Sequence, residues 1–87
     1  MKFDKNKTVP IQMICSISTS GSITPMRFRF IDEEGEKISI DVEDVLRMEI
    51  TSLTLFILVS GYCYNELRHF QLSMQRTTCK WSLVGIS

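Results

Sequence analysis

The chain has 87 residues, with ten basic and ten acidic side chains and 44% hydrophobic residues. At this length we expect one domain with a modest core, and the apolar fraction is too high for a disordered chain. Because the formal net charge is zero, the composition argues against a general binder of polyanions.

The start of the chain and its cysteines bear on cellular location. Residues 1–8 are largely polar and carry three lysines, so we predict a flexible tail there and a single domain over residues 9–87. No apolar segment typical of a signal peptide follows Met1, and the three cysteines lack CxxC spacing. We therefore predict a cytoplasmic protein with reduced thiols. The longest apolar run, residues 55–59, is too short to cross a membrane, so no membrane partner is expected.

Residues 11–18 and 23–31 have the alternation of a β-hairpin. Ser20-Gly21 suits a two-residue turn. This turn would place Thr19 opposite Ser22, Met13 opposite Phe28 and Cys15 opposite Met26, all with one parity on the core side. Pro25 is expected either on a sheet edge or at a bulge.

Residues 37–42 continue the same sheet after an acidic turn. The turn begins at Asp32, and Gly35 supplies the position that requires a positive φ. Pairing in this register places Phe28 opposite Ile40 on the core side. On the other side it places Arg27 opposite Asp41, an opposite-charge pair that supports the register.

The next two segments are less regular. Residues 44–50 permit either a helical turn that begins near Asp44 or a strand with Leu46, Met48 and Ile50 on one face; we favour a bend followed by a strand. Residues 53–59 are apolar at both parities, which is typical of a strand covered on both sides.

The rest of the chain predicts two more strands. A tyrosine-rich connection follows Ser60. One strand then carries Phe70, Leu72 and Met74 inward, and the last directs Trp81 and Leu83 inward. Short strands at this spacing predict an all-β fold, a small antiparallel meander curled into a five- or six-stranded SH3/Sm-like barrel.

One segment has a distinctive motif. Residues 21–29 read Gly-x-Ile-Thr-Pro-x-x-Phe-Arg, and the acidic turn with Gly35, then Tyr62-Cys63, and Lys80-Trp81 follow in order. In this pattern the chain resembles a group of small cytoplasmic proteins of Gram-positive bacteria. The resemblance implies a bacterial cytoplasmic protein but supplies no activity. The apolar run before Ser60 departs from the more polar segment of that group, which indicates burial against a partner.

No pattern in the sequence points to catalysis. His69 is the only histidine, and on the polar side of a strand it is expected to be a surface residue. Cys63 or Cys79 would need to lie beside it to form a nucleophile pair, and their spacing fits no known metal site. The carboxylates of residues 32–44 are interpreted as a solvated turn. We therefore predict no catalytic residue, no metal and no cofactor, and a protein that is not an enzyme.

Five residues form a candidate surface for single-stranded nucleic acid or for a protein partner. Arginines hold phosphates and aromatic rings stack on bases, and small barrels often combine both. The candidate set is Arg27, Arg29, Arg68, Tyr62 and Tyr64.

Association with a protein partner or with itself, as a homo-oligomer, is the leading hypothesis. A chain of this size has little material with which to cover a strand that is apolar on both faces. The candidate oligomer contact is Leu53, Leu55, Phe56 and Leu58.

Overall fold

The computed structural model describes residues 8–87, and in this part of the chain all regular structure is β-strand. The strands are β1 (Val9–Pro10), β2 (Gln12–Ile17), β3 (Ile23–Ile31), β4 (Lys37–Ile50), β5 (Thr54–Cys63), β6 (Glu66–Gln75) and β7 (Lys80–Ile86). The predicted all-β, barrel-like meander is confirmed. The predicted number of five or six strands is wrong, because a short strand precedes the first predicted one. Residues 1–7 of the predicted tail lie outside the described residues.

The seven strands form one curled antiparallel sheet in the order β1-β7-β6-β5-β4-β3-β2. Only Ile11 separates β1 from β2, yet β1 pairs with β7 while β2 pairs with β3. The Ile11 N–H also donates to the carbonyl of Trp81 at 3.2 Å. One N-terminal stretch therefore reaches both margins of the sheet and brings them towards each other.

The core occupies the inner face of this half-barrel. Phe28 is central, with its ring edge-on to Phe70 at 5.2 Å between centroids and stacked near Phe30 at 6.3 Å. Alternate residues of a strand face opposite sides, so the residues of β3–β6 that reach the core are largely every second one. The buried apolar set is Phe28, Phe30, Ile38, Ile40, Leu55, Ile57, Val59, Cys63, Phe70, Leu72, Met74 and Leu83.

The hairpin of β3 and β4 follows the predicted register, with Arg27 opposite Asp41 and Phe28 opposite Ile40. Its turn is built as expected around Asp32. The carboxylate accepts hydrogen bonds from the backbone N–H groups two and four residues on, both at 2.9 Å. Gly35 has a φ of 80°, the left-handed conformation that glycine adopts without a steric penalty.

The hairpin of β2 and β3 departs from prediction at two places. Met13 lies opposite Phe28 as predicted, but Cys15 pairs with Pro25, so the predicted partner, Met26, was wrong. Met26 is the extra residue of a bulge and is 54% exposed instead of facing the core. The two-residue turn was also wrong. The N–H of Ser18 donates to the carbonyl of Ser22, which makes a longer loop.

Residues 44–50 are part of β4, so the strand alternative is confirmed and the helical turn is wrong. The expected bend takes the form of two bulges in the pairing with β5, at Glu43 and at Leu46. Bulges increase local twist and redirect a strand. They carry β4 away from β3 after Asp41, where the β3–β4 pairing ends.

Candidate functional site

The second part of β4 is the least covered strand segment in the described part of the chain. All of residues 43–50, the β4 arm, are exposed, although four of the eight are Val, Leu, Met or Ile. Among residues 8–87 the arm has a strand partner on one edge only, which is β5. The exposed apolar residues are Val45 (40%), Leu46 (48%), Met48 (43%) and Ile50 (64%).

One face of the arm extends the inner face of the sheet. Val45, Met48 and Ile50 pair with β5 residues at positions 59, 57 and 55, all of which are buried in the core. Directly opposed residues share a face. The core surface therefore continues onto β4, where these three side chains remain exposed.

The outer face of the arm is charged. Arg47 and Glu49 point outward beside Leu58 and Phe56, their partners on β5. Their Nε and Oε1 atoms are 3.7 Å apart, and both side chains are more than 60% exposed. A shallow pocket of about 270 Å³ lies over these four residues and Val84. This face thus offers two opposite charges beside a partly exposed aromatic ring.

The turn after the arm is held in place by hydrogen bonds. The hydroxyl of Thr51 accepts bonds from the N–H groups of Leu53 and Thr54, and the Thr51 N–H donates to the carbonyl of Thr54. The guanidinium of Arg76 donates to the Thr51 carbonyl at 2.9 Å. The arm is therefore presented from an ordered base, which lowers the entropy cost of binding.

The predicted oligomer contact overlaps this region in part. Leu53 is 66% exposed and Phe56 is 44% exposed, while Leu58 is half-buried. Leu55 is 5% exposed and belongs to the core. The four apolar residues of the arm itself were missed. Their signal in the sequence is Val45-Leu46, two adjacent apolar residues that break the alternation.

Three residues of the predicted nucleic-acid surface lie on the outer face of the sheet. Arg27 is tied to Asp41, with Nε and Oδ1 2.5 Å apart. This hydrogen bond lowers the pKa of the Asp41 carboxyl and raises that of the Arg27 guanidinium. Arg29 is exposed and makes no hydrogen bond or ion pair with residues 8–87, and Tyr62 is 55% exposed on β5.

The other two residues lie elsewhere. Arg68 belongs to the pair next to that of Tyr62, so the two side chains face opposite sides. The Arg68 guanidinium donates to Glu66 at 3.0 Å. Tyr64 lies in the β5–β6 turn, and its hydroxyl donates to the Glu36 carboxylate, which raises the pKa of the phenol to about 12. The structure therefore does not gather the five residues, and carboxylates engage three of them.

The thiols and the histidine are dispersed. Cys63 is buried, Cys15 is half-buried and Cys79 is exposed. Loss of hydration raises the pKa of the Cys15 and Cys63 thiols. His69 is exposed on β6, as predicted. Within residues 8–87 no three His, Cys, Asp or Glu side chains are grouped so that they could hold a metal ion.

The same described residues include no helix of the length and apolarity needed to cross a membrane. Comparisons with protein-family models, with curated proteins and with solved structures found no match. The resemblance to small proteins of Gram-positive bacteria accordingly stays a prediction.

Proposed function

We propose that this protein is a protein-association module that binds its partner through the β4 arm. The observation that carries the proposal is the exposure of all eight residues of an apolar-rich strand segment, residues 43–50. Exposed apolar strands with an unpaired edge are characteristic binding surfaces, because a partner strand can complete the hydrogen-bond ladder and cover the side chains.

The bulges and charges of the arm favour a specific contact over nonspecific association. Charged residues and bulges are the usual features that keep an edge strand from pairing indiscriminately. The arm carries bulges at Glu43 and Leu46, and charges at Glu43, Asp44, Arg47 and Glu49. A partner must therefore match both the bulged shape and the charges, which favours a defined protein partner.

We further propose that the protein is bacterial, cytoplasmic and not an enzyme. The three thiols and the family resemblance support the location. The dispersed positions of His69, Cys63 and Cys79 support a role without catalysis.

Substitution of Leu46 by Asp tests the proposed surface. Leu46 is 48% exposed, so the variant should fold, while a buried charge in the contact should abolish binding. Leu67→Asp is the matched control, since Leu67 is an exposed leucine of β6 at 55%. We expect that the wild type and the control form a complex, with themselves or with a captured protein, and that Leu46→Asp does not. Sedimentation velocity and affinity capture give the two readouts. Equal association by all three proteins would refute the proposed surface.

Single-stranded nucleic acid is the second candidate, favoured by the unengaged Arg29 and the exposed Tyr62, both on the outer face of the sheet. Fluorescence anisotropy with random RNA and DNA strands at low and physiological salt tests it. Binding that weakens with salt and is lost in Arg29→Glu would support this function. Absence of binding at low salt would remove it.

A further inference from the structure

The charges of the β4 arm point to one binding partner. We infer that the arm pairs with the same arm of a second copy of this chain, antiparallel and centred on Met48. This inference rests on the proposed function and names its partner.

The sequence of the arm is complementary to its own reverse. Residues 46–50 read Leu-Arg-Met-Glu-Ile. When two copies align antiparallel about Met48, Arg47 of each lies opposite Glu49 of the other. Leu46 then lies opposite Ile50, and Met48 lies opposite itself. Opposite charges that directly face each other stabilise an antiparallel pair, whereas like charges destabilise it.

The structure makes this register the favourable one. From Arg47 to Ile50 the pairing with β5 is regular, with no bulge. Arg47 and Glu49 face outward while Met48 and Ile50 face inward, so the register keeps charges with charges and apolar groups with apolar groups.

The symmetric registers centred on neighbouring positions are less favourable, for one of two reasons. A centre at Arg47 would oppose two arginines, and a centre at Glu49 would oppose two carboxylates. A centre at Leu46 would set the outward Arg47 against the inward Val45. Any centre between two residues of the regular part would also oppose side chains of opposite faces.

The paired arms would join the two half-barrels through one continuous sheet with two-fold symmetry. The exposed inner residues of the two copies, Val45, Met48 and Ile50, would become neighbours. Arg47 and Glu49, 3.7 Å apart at the surface of one chain, would each gain a partner across the axis. Because the contact is a single short strand, we expect dissociation in the micromolar range.

Two charge reversals test the register. Arg47→Glu places acids at both charged positions of residues 46–50, and Glu49→Arg places bases at both. Each variant alone should lose self-association at least roughly tenfold through like-charge repulsion. An equal mixture should restore it, because the acids at positions 47 and 49 of one arm then face the bases at positions 49 and 47 of the other.

Sedimentation velocity of the single variants and of their mixture measures the dissociation constants. Lys37→Glu is the control, because it makes the same change of charge as Arg47→Glu at an exposed residue at the other end of β4, and it should leave the constant unchanged. Thermal unfolding checks that each variant folds, which the exposed positions of both side chains predict.

The outcomes separate this inference from the proposed function. Self-association of either single variant at wild-type strength, or no complex in the mixture, would overturn the pairing about Met48. A wild type that is monomeric at high micromolar concentration but captures another protein through Leu46 would also overturn it, while the proposed function would stand. A wild type that neither self-associates nor captures another protein would overturn both this inference and the proposed function.

Discussion

The two halves of β4 have the same chemistry and opposite environments. Residues 37–41 pair with β3, and their Ile38 and Ile40 are buried in the core. Within the described part of the chain, residues 43–50 have a strand partner, β5, on one edge only, and all eight side chains are exposed. Apolar and polar residues alternate over residues 37–41 of the first half and over residues 46–50 of the second. The difference lies in burial, because the inner face of the first half belongs to the core whereas the inner face of the second half stays exposed.

This contrast shows that alternation selects the face of a side chain but not its burial. Curvature decides the burial, and in β4 the curvature comes from two bulges at Glu43 and Leu46. A strand that bends away from its neighbour exposes both its inner face and its edge. The first half therefore contributes to the core, and the second half stays exposed.

Replacing one isoleucine of each half with alanine should give the largest difference in stability between the two halves. Ile40 is 1% exposed and Ile50 is 64% exposed. Ile40→Ala should destabilise the protein by about 2–5 kcal/mol, because it removes core contacts and leaves a cavity. Ile50→Ala should cost less than about 1 kcal/mol. Urea unfolding at a concentration where the protein is monomeric measures both, and equal losses would mean that the second half is also buried.

Gly61 marks the position where the two halves meet, and its replacement should have the next largest effect. An added Cβ would lie 2.5 Å from a side-chain methyl of Ile40 and 2.8 Å from the backbone oxygen of Asp41. Gly61→Ala should therefore cost about 1–3 kcal/mol through overpacking. Gly85→Ala is the control, because its Cβ would meet only the flexible end of Gln71 at 3.2 Å. A Gly61→Ala protein as stable as this control would contradict the close approach.

The ion pair of the first half should have a smaller effect, visible in acid. The hydrogen bond from Arg27 lowers the pKa of Asp41 below its ordinary value of 3.8. A lowered folded-state pKa contributes stability above that ordinary value and loses it as the pH falls through the folded value. In Arg27→Gln the pKa of Asp41 should rise towards 3.8, and the stability difference from wild type should vanish in strong acid. Carboxyl chemical shifts follow the titration, and an unchanged pKa would show that the contact is absent in solution.

The smallest expected effect on stability is that of Tyr64, in the β5–β6 turn, whose hydroxyl donates to Glu36, the residue before β4. The hydrogen bond to Glu36 raises the pKa of the phenol from 10 to about 12. Because the folded state holds the proton more tightly, this contact stabilises fully below pH 10 and is lost as the pH rises through about 12. Glu36→Gln should lower the pKa, and Tyr64→Phe should remove the late step in tyrosinate absorbance. Retention of the late step in Tyr64→Phe would assign it to another group.

Sequence reasoning succeeded where the determinants are local. The pairing of Arg27 with Asp41 followed from opposite charges at matched positions and from a turn that needs Gly35. It failed at Met26, where one bulge residue reverses the face of a side chain without any change in residue type. Bulges of this kind are set by the curvature of the whole sheet, which the local pattern does not contain.

The candidate surfaces show the same limit. Leu55 and Phe56 are adjacent apolar residues, but only the sheet decides which of them is buried. The arginines and tyrosines were grouped by type, whereas Tyr64 is engaged by Glu36, a carboxylate 28 residues away in the sequence. Non-local contacts of this kind determine whether a charge or a hydroxyl is available to a ligand.

The short strand β1 is synthesised early, but it pairs with β7, which is synthesised much later. The hairpins from β2 to β6 can form as the ribosome releases each strand, because their partners are neighbours in sequence. Val9 must wait for Leu83, its partner in β7. Contacts of high sequence separation carry a large loop-closure entropy and form slowly. The sheet of the nascent protein therefore closes only after β7 has left the exit tunnel.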